Sequence, residues 1–238
     1  MPYPAELVGR DGAYMNVKCC IFDFDGTLFD SMFLWEYCGE NYLRSLGIEP
    51  RDGLQEVLRP MSLYRSACYL KDTYSLPLTV EDIIQGINET VEEFYIHKVL
   101  PKAGVVAFLD RLHRAGISMS IATATERYQV QAALRRCGME GYFAEIFTCG
   151  EVGYGKDVAV IYQKAMEYLG GDRGNTLVFE DALHAVSTAK TDEFRVVAVF
   201  DSSEKEQDSI KKLADHYISD YTHSEEIRAL LRRWGIEI

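Results

Sequence analysis

The residues of this 238-residue chain whose types and spacing could do chemistry fall into four short clusters. They are Asp23 with Asp25, Thr123 with Thr125, Lys156, and Glu180 with Asp181. Asp23 and Asp25 stand at i and i+2, where an apolar run gives way to Asp-Gly-Thr. Two carboxylates so placed, with two more at Glu180 and Asp181, repel one another unless a cation stands among them. An oxygen-only donor set suits a hard ion, and Mg²⁺ takes a few carboxylates together with waters and substrate phosphate. Thr123 offers a hydroxyl, and the amides of Ala124 and Thr125 sit near a helix start, where anions bind. Each cluster is commonplace alone. Acid pairs occur in solvated turns, threonines cap helices, most lysines are solvated, and Glu-Asp often opens a helix. Their occurrence together, in chain order and at successive strand ends, is not commonplace.

The elements that must carry these residues are legible in the hydrophobic pattern. Val17 to Phe24 is apolar and unalternating until its end, as in a parallel strand covered on both faces. From Ser31 to about Lys98 the texture is helical and rich in aromatics, with Asp30 or Ser31 as a plausible first N-cap. After Leu100-Pro101-Lys102-Ala103-Gly104 it becomes an alternation. Strands are expected at 117–122, 145–148, 176–179 and 195–200, with helices between them. Such repetition implies a parallel sheet with right-handed crossovers. About 70 helical residues are too many for a loop and read as an inserted domain. The expected fold is therefore α/β, a Rossmann-like parallel sheet core with an inserted α-helical cap. The core takes 17–30 and 100–238, the cap 31–99, and an N-terminal extension 1–16. In open α/β sheets ligands bind at the carboxyl ends of the strands, where all four clusters lie.

The stretch Asp23-Phe24-Asp25-Gly26-Thr27-Leu28-Phe29-Asp30-Ser31 resembles the first motif of the haloacid dehalogenase-like hydrolases. Thr123, Lys156 and Glu180-Asp181 fall where that family places its second, third and fourth motifs. A helical insert between the first two motifs resembles the phosphoglycolate phosphatase and β-phosphoglucomutase subgroup. The resemblance implies Asp23 as nucleophile, Asp25 as acid and then base, and Thr123 and Lys156 as holders of the phosphoryl oxygens. It implies Mg²⁺ held by Asp23, the backbone carbonyl of Asp25 and Asp181, with Glu180 beside them. Three departures stand out: Ala124 where many of these phosphatases carry Asn, Asp157 where Pro is common, and Ala182 and Ala185 in the fourth motif.

Composition limits the partners. A formal net charge of −12 argues against nucleic acid and anionic membranes, whose binding needs clustered Lys and Arg. No apolar run approaches the roughly 18 residues of a membrane span, and no signal peptide is visible at the start. The six cysteines form no CxxC pair and read as free thiols. A cytoplasmic enzyme acting on a small phosphorylated metabolite, as a monomer or weak dimer, is the expectation.

The leading function is a Mg²⁺-dependent phosphatase of a small phosphate monoester, working through an aspartyl-phosphate. A sugar phosphomutase of the β-phosphoglucomutase type is the alternative. Thr27 leans toward phosphatases and Ala124 toward mutases. A non-enzymatic phospho-ligand binding module is the alternative of another class, and every catalytic position being filled argues against it. Dehalogenase and phosphonatase branches replace the second acid, which is present here as Asp25. Arg59 and Arg65, with Ser62, Tyr64 and Lys71 around Pro60, are the candidate substrate contacts of the cap, on a loop between two helices. Trp35, Tyr37 and Tyr42 read as cap core.

Overall fold

The structure is a computed structural model and describes residues 16–58, 61 and 63–236. The expected extension lies almost wholly outside those residues. The chain divides into two compact units, one holding the residues up to Asp30 together with Leu100 onward, the other Ser31–Val99.

The first unit opens with β1 (Cys19–Phe22) and a two-residue strand, β2 (Phe29–Asp30). The second unit follows as α1 (Met32–Ser45), α2 (Leu54–Leu58), α3 (Leu63–Tyr74) and α4 (Val80–His97). The chain returns through β3 (Leu100–Pro101), α5 (Val105–Arg114), β4 (Ser118–Thr123) and α6 (Arg127–Arg136). Next come β5 (Glu145–Thr148), α7 (Cys149–Val152), α8 (Val160–Tyr168), β6 (Thr176–Glu180) and α9 (Leu183–Thr191). The last elements are β7 (Arg195–Val199), α10 (Gln207–Leu213), β8 (His216–Ile218) and α11 (Ser224–Arg233).

The six long strands form one parallel sheet in the order β5-β4-β1-β6-β7-β8. The order reverses direction beside β1, and a doubly wound sheet has its ligand crevice at such a switch point. β1 is central and covered on both faces, which is why its sequence does not alternate: Cys20, Ile21 and Phe22 have no exposed surface. Phe22 stacks on Phe179 of β6 with ring centroids 4.3 Å apart, and Phe108 and Phe143 meet it edge-on. Helices α8 and α9 supply Tyr162, Ala165, Val186 and Ala189 to a core shared with Ile21, Val178 and Val196. All six cysteines are free thiols, with Cys19 and Cys20 buried. No helix among the described residues is long and apolar enough to cross a membrane.

The turn after β1 is set by glycine. Gly26 has φ +69°, a conformation open to glycine and costly for a residue with a Cβ. Its N–H reaches Phe29 O at 3.0 Å while Leu28 and Phe29 both donate to Phe24 O, so the chain doubles back at once. Phe24 and Phe29 stack at 4.3 Å and are fully buried. β2 then pairs antiparallel with β3, so the two crossings between the units lie side by side in one ribbon.

In the helical unit, α4 is fixed at its start by a reciprocal capping box between Thr79 and Asp82. It buries Ile83, Ile87, Val91 and Tyr95 along one stripe, against α1 and α3. Gly86 admits Tyr42 of α1: a Cβ there would lie 2.3 Å from the tyrosine ring. Tyr42 is core, as expected, but Tyr37 stands at 36% exposure on the surface of α1. The burial of the Trp35 side chain lies outside what is described.

Candidate active site

Every strand of the central trio delivers its polar residues to the same edge of the sheet. β1 ends at Phe22, and the Asp23 N–H still donates to Phe179 O at 2.9 Å, so Asp23 is fixed by the ladder just past the strand end. β4 runs one residue further than the pattern suggested and takes in Thr123; β6 likewise takes in Glu180. These side chains are therefore held by sheet geometry, and Thr123, Glu180 and Asp181 are buried.

The ionic centre is a bridge. Lys156 Nζ pairs with Asp23 Oδ1, and lies 2.7 Å from Glu180 Oε1. Glu180 Oε1 also accepts from the Tyr162 hydroxyl at 2.7 Å, whereas Glu180 Oε2 is buried without a partner. Asp181 Oδ1 accepts from Thr27 Oγ1 at 3.1 Å. Tyr221, itself buried, donates to the Thr27 carbonyl at 3.2 Å and so braces the turn from the far end of the chain.

A second bridge holds the other two predicted residues. Thr125 Oγ1 donates to Asp25 Oδ2 at 2.5 Å, and the Thr125 N–H donates to Thr123 Oγ1 at 3.0 Å. Asp25 is thereby tied to the β4 end. Ala124, between them, is exposed.

Electrostatics show what the cluster lacks. Asp23, Glu180 and Asp181 each offer a carboxylate oxygen within 4.8 Å of the others. Fully ionised they carry −3 against the +1 of Lys156, a deficit of −2 in a buried place. Without a cation, Asp23 and Asp181 cling to their protons. Burial first, then Glu180, pushes Asp23 well above the carboxylate range, and the same two causes with Asp201 raise Asp181 to about 8. Burial works against the Lys156 ammonium, yet Asp23 and Glu180 overcome it and raise its pKa. A dication fits on three counts: the charge deficit, the all-oxygen donors and the orphaned Glu180 Oε2.

Of the predicted residues, Asp23, Lys156, Glu180 and Asp181 converge on one cluster, and Asp25 and Thr123 are joined through Thr125. The cap candidates fare differently. Arg65 and Tyr64 lie in the first turn of α3, not in a loop, and both are exposed. Nothing in Leu63 to Tyr74 breaks a helix, so α3 begins almost directly after Pro60. Arg59 and Ser62 lie outside the described residues.

Three contributors escaped the sequence reading: Tyr162 on Glu180, Tyr221 on the Thr27 carbonyl, and the Thr125 hydroxyl on Asp25. A signal existed for the first, since a tyrosine on the apolar face of a helix must find a partner for its hydroxyl.

Residues 20–199 match the model of the haloacid dehalogenase-like hydrolases, and the chain belongs to that family. Among its relatives is a phosphorylated carbohydrates phosphatase of Thermotoga maritima, 24% identical over 74% of this chain and 81% of its own. Hexitol phosphatase B of Escherichia coli K12 is 24% identical over 87% of this chain and 94% of its own. The phosphoglycolate phosphatase of Agrobacterium fabrum is 26% identical over 71% and 75%. A provisionally named β-phosphoglucomutase of known structure, also from Thermotoga maritima, superposes with TM-score 0.79 at 21% identity, over 91% of this chain and 99% of that one. CbbY from Rhodobacter sphaeroides, solved with phosphate, gives 0.68 at 20% over 89% and 99%. At such identities the structural likeness speaks for the fold.

Proposed function

We propose that the chain is a Mg²⁺-dependent phosphatase of small phosphate monoesters, working through a covalent phospho-enzyme on Asp23. The observation that carries this reading is the Asp23–Lys156–Glu180 bridge beside Asp181: a nucleophilic carboxylate held by one cation and short of a second.

The chain's own residues supply most of the chemistry. An Asp23 carboxylate oxygen attacks phosphorus, and the bond from phosphorus to the ester oxygen breaks. That oxygen leaves with the proton of Asp25. Asp25, now a carboxylate, takes a proton from water as the water attacks the phosphorus of the aspartyl-phosphate. The bond to Asp23 breaks, phosphate leaves, and the carboxylate is restored. Thr125 holds Asp25 where it can serve both halves of the cycle. Lys156 and Thr123 hold phosphoryl oxygens, so two anions can approach each other. Mg²⁺, held by Asp23, Asp181 and the Asp25 carbonyl with Glu180 beside them, supplies the missing positive charge when bound.

The relatives' names direct the choice of substrates. Sugar phosphates, hexitol phosphates and phosphoglycolate should be assayed for phosphate release with Mg²⁺ and with excess chelator. Release that needs Mg²⁺ supports the reading. Conversion of a sugar phosphate to its isomer without free phosphate would mark the phosphomutase instead. Binding of these esters with neither reaction would mark a binding module.

A further inference from the structure

The hydroxyl of Tyr162 has no part in the reaction just described, yet it ends on one of its carboxylates. Tyr162 is fully buried in the first turn of α8, in the core shared by the sheet and α9, with its ring edge-on to Phe194 at 6.1 Å. A phenylalanine would fill that space equally well and spare the cost of burying a hydroxyl. The hydroxyl instead donates to Glu180 Oε1 at 2.7 Å, the oxygen that also accepts from Lys156 at 2.7 Å. Glu180 Oε2 is left with no partner.

Resting on the phosphatase reading above, we propose that Tyr162 is a positioning residue that sorts the two oxygens of Glu180, committing Oε1 to Lys156 and reserving Oε2 for the Mg²⁺ site. Two donors saturate Oε1 and set the rotation of the carboxylate about its last torsion, a torsion that is otherwise broad. That rotation fixes where Lys156 can sit between Glu180 and Asp23. With the hydroxyl removed, Oε1 keeps one donor and the carboxylate can turn, so Lys156 competes for the oxygen reserved for the cation or its waters.

The test is Mg²⁺ binding to the metal-free full chain by titration calorimetry, independent of turnover, alongside the Mg²⁺ activation curve. Tyr162→Phe should bind Mg²⁺ about tenfold more weakly, the scale typical of losing a partner that orients a ligand. Its activation curve should shift to higher Mg²⁺ by the same factor. Phe194→Leu disturbs the same packing without touching the hydroxyl. It should lower the melting temperature and leave Mg²⁺ affinity within twofold. Tyr162→Phe with Mg²⁺ affinity within twofold of the native chain would overturn the proposal, as would a native chain that binds no Mg²⁺. A native chain that binds Mg²⁺ but releases no phosphate would sink the phosphatase reading, while the affinity comparison would still decide the role of Tyr162.

Discussion

The two units treat their polar residues in opposite ways. In the α/β unit, acids and threonines are buried at the ends of β1, β4 and β6, with Lys156 from the loop before α8 buried among them; in the helical unit Ser31, at its boundary, is the buried polar side chain among the described residues. Burying Asp23, Lys156, Glu180 and Asp181 is costly unless each is paired, so their positions are over-determined by one another. Exposed groups such as Arg65 and Tyr64 carry no such constraint. Chemistry is thus recorded in the sequence where polar burial forces a pattern, and recognition of a leaving group, where surface side chains suffice, leaves little trace.

Replacing Lys156 by Ala should break the first side of that comparison most severely. It strips the countercharge from both Asp23 and Glu180, and kcat/KM should fall roughly 10²–10³-fold. The fall should be of similar size for every substrate in a panel, because the contact proposed for the lysine is with the shared phosphoryl group. Losses confined to some substrates would move Lys156 from the phosphoryl group to the leaving group.

The next effect is one of pH. Asp181 has its pKa raised to about 8 in the metal-free protein, chiefly by burial and then by Glu180. A cation must displace that proton and the one on Asp23, so Mg²⁺ affinity should rise at least tenfold per pH unit up to about pH 8. The stability linkage has the opposite sign. With its pKa raised on folding, Asp181 stabilises the metal-free protein fully below its unfolded value near 4, and this is lost as pH rises through 8. Metal-free melting temperatures should therefore decline toward pH 8, and Mg²⁺ should restore most at the alkaline end. Calorimetry across pH 5.5–8.5 checks both, and a flat Mg²⁺ affinity would remove Asp181 from the ligands.

The smallest effect belongs to the helical unit. Arg65→Ala should cost only a few-fold in kcat/KM, and unevenly, with the best substrate hurt most and small aryl phosphates hardly at all. Equal losses across the panel would assign Arg65 to the phosphoryl group, and no change at all would leave it a surface charge.

The parallel sheet and its strand-end clusters were legible because periodicity and burial act over short stretches. β1 lacks alternation since both its faces are covered, and Gly26 marks the turn that lifts Asp25 off the strand. The contacts that finish the cluster were not legible, because they join residues distant in sequence: Thr27 with Asp181, Thr125 with Asp25, Tyr221 with Thr27. No local rule announces such pairs. In the helical unit the loop expected around Pro60 is shorter in the structure, because the residues from Leu63 onward are all helix-compatible.

The central claim is covalent: the phosphoryl group passes through Asp23. Rapid quenching of the enzyme during turnover, followed by borohydride reduction and peptide mass spectrometry, tests it at the atom concerned. Reduction converts an aspartyl-phosphate to homoserine. The account predicts homoserine at position 23, dependent on substrate and on Mg²⁺, and its absence in Asp23→Asn, whose turnover should be lower by orders of magnitude. Phosphate release at the native rate by Asp23→Asn, or homoserine at a different aspartate, would contradict it.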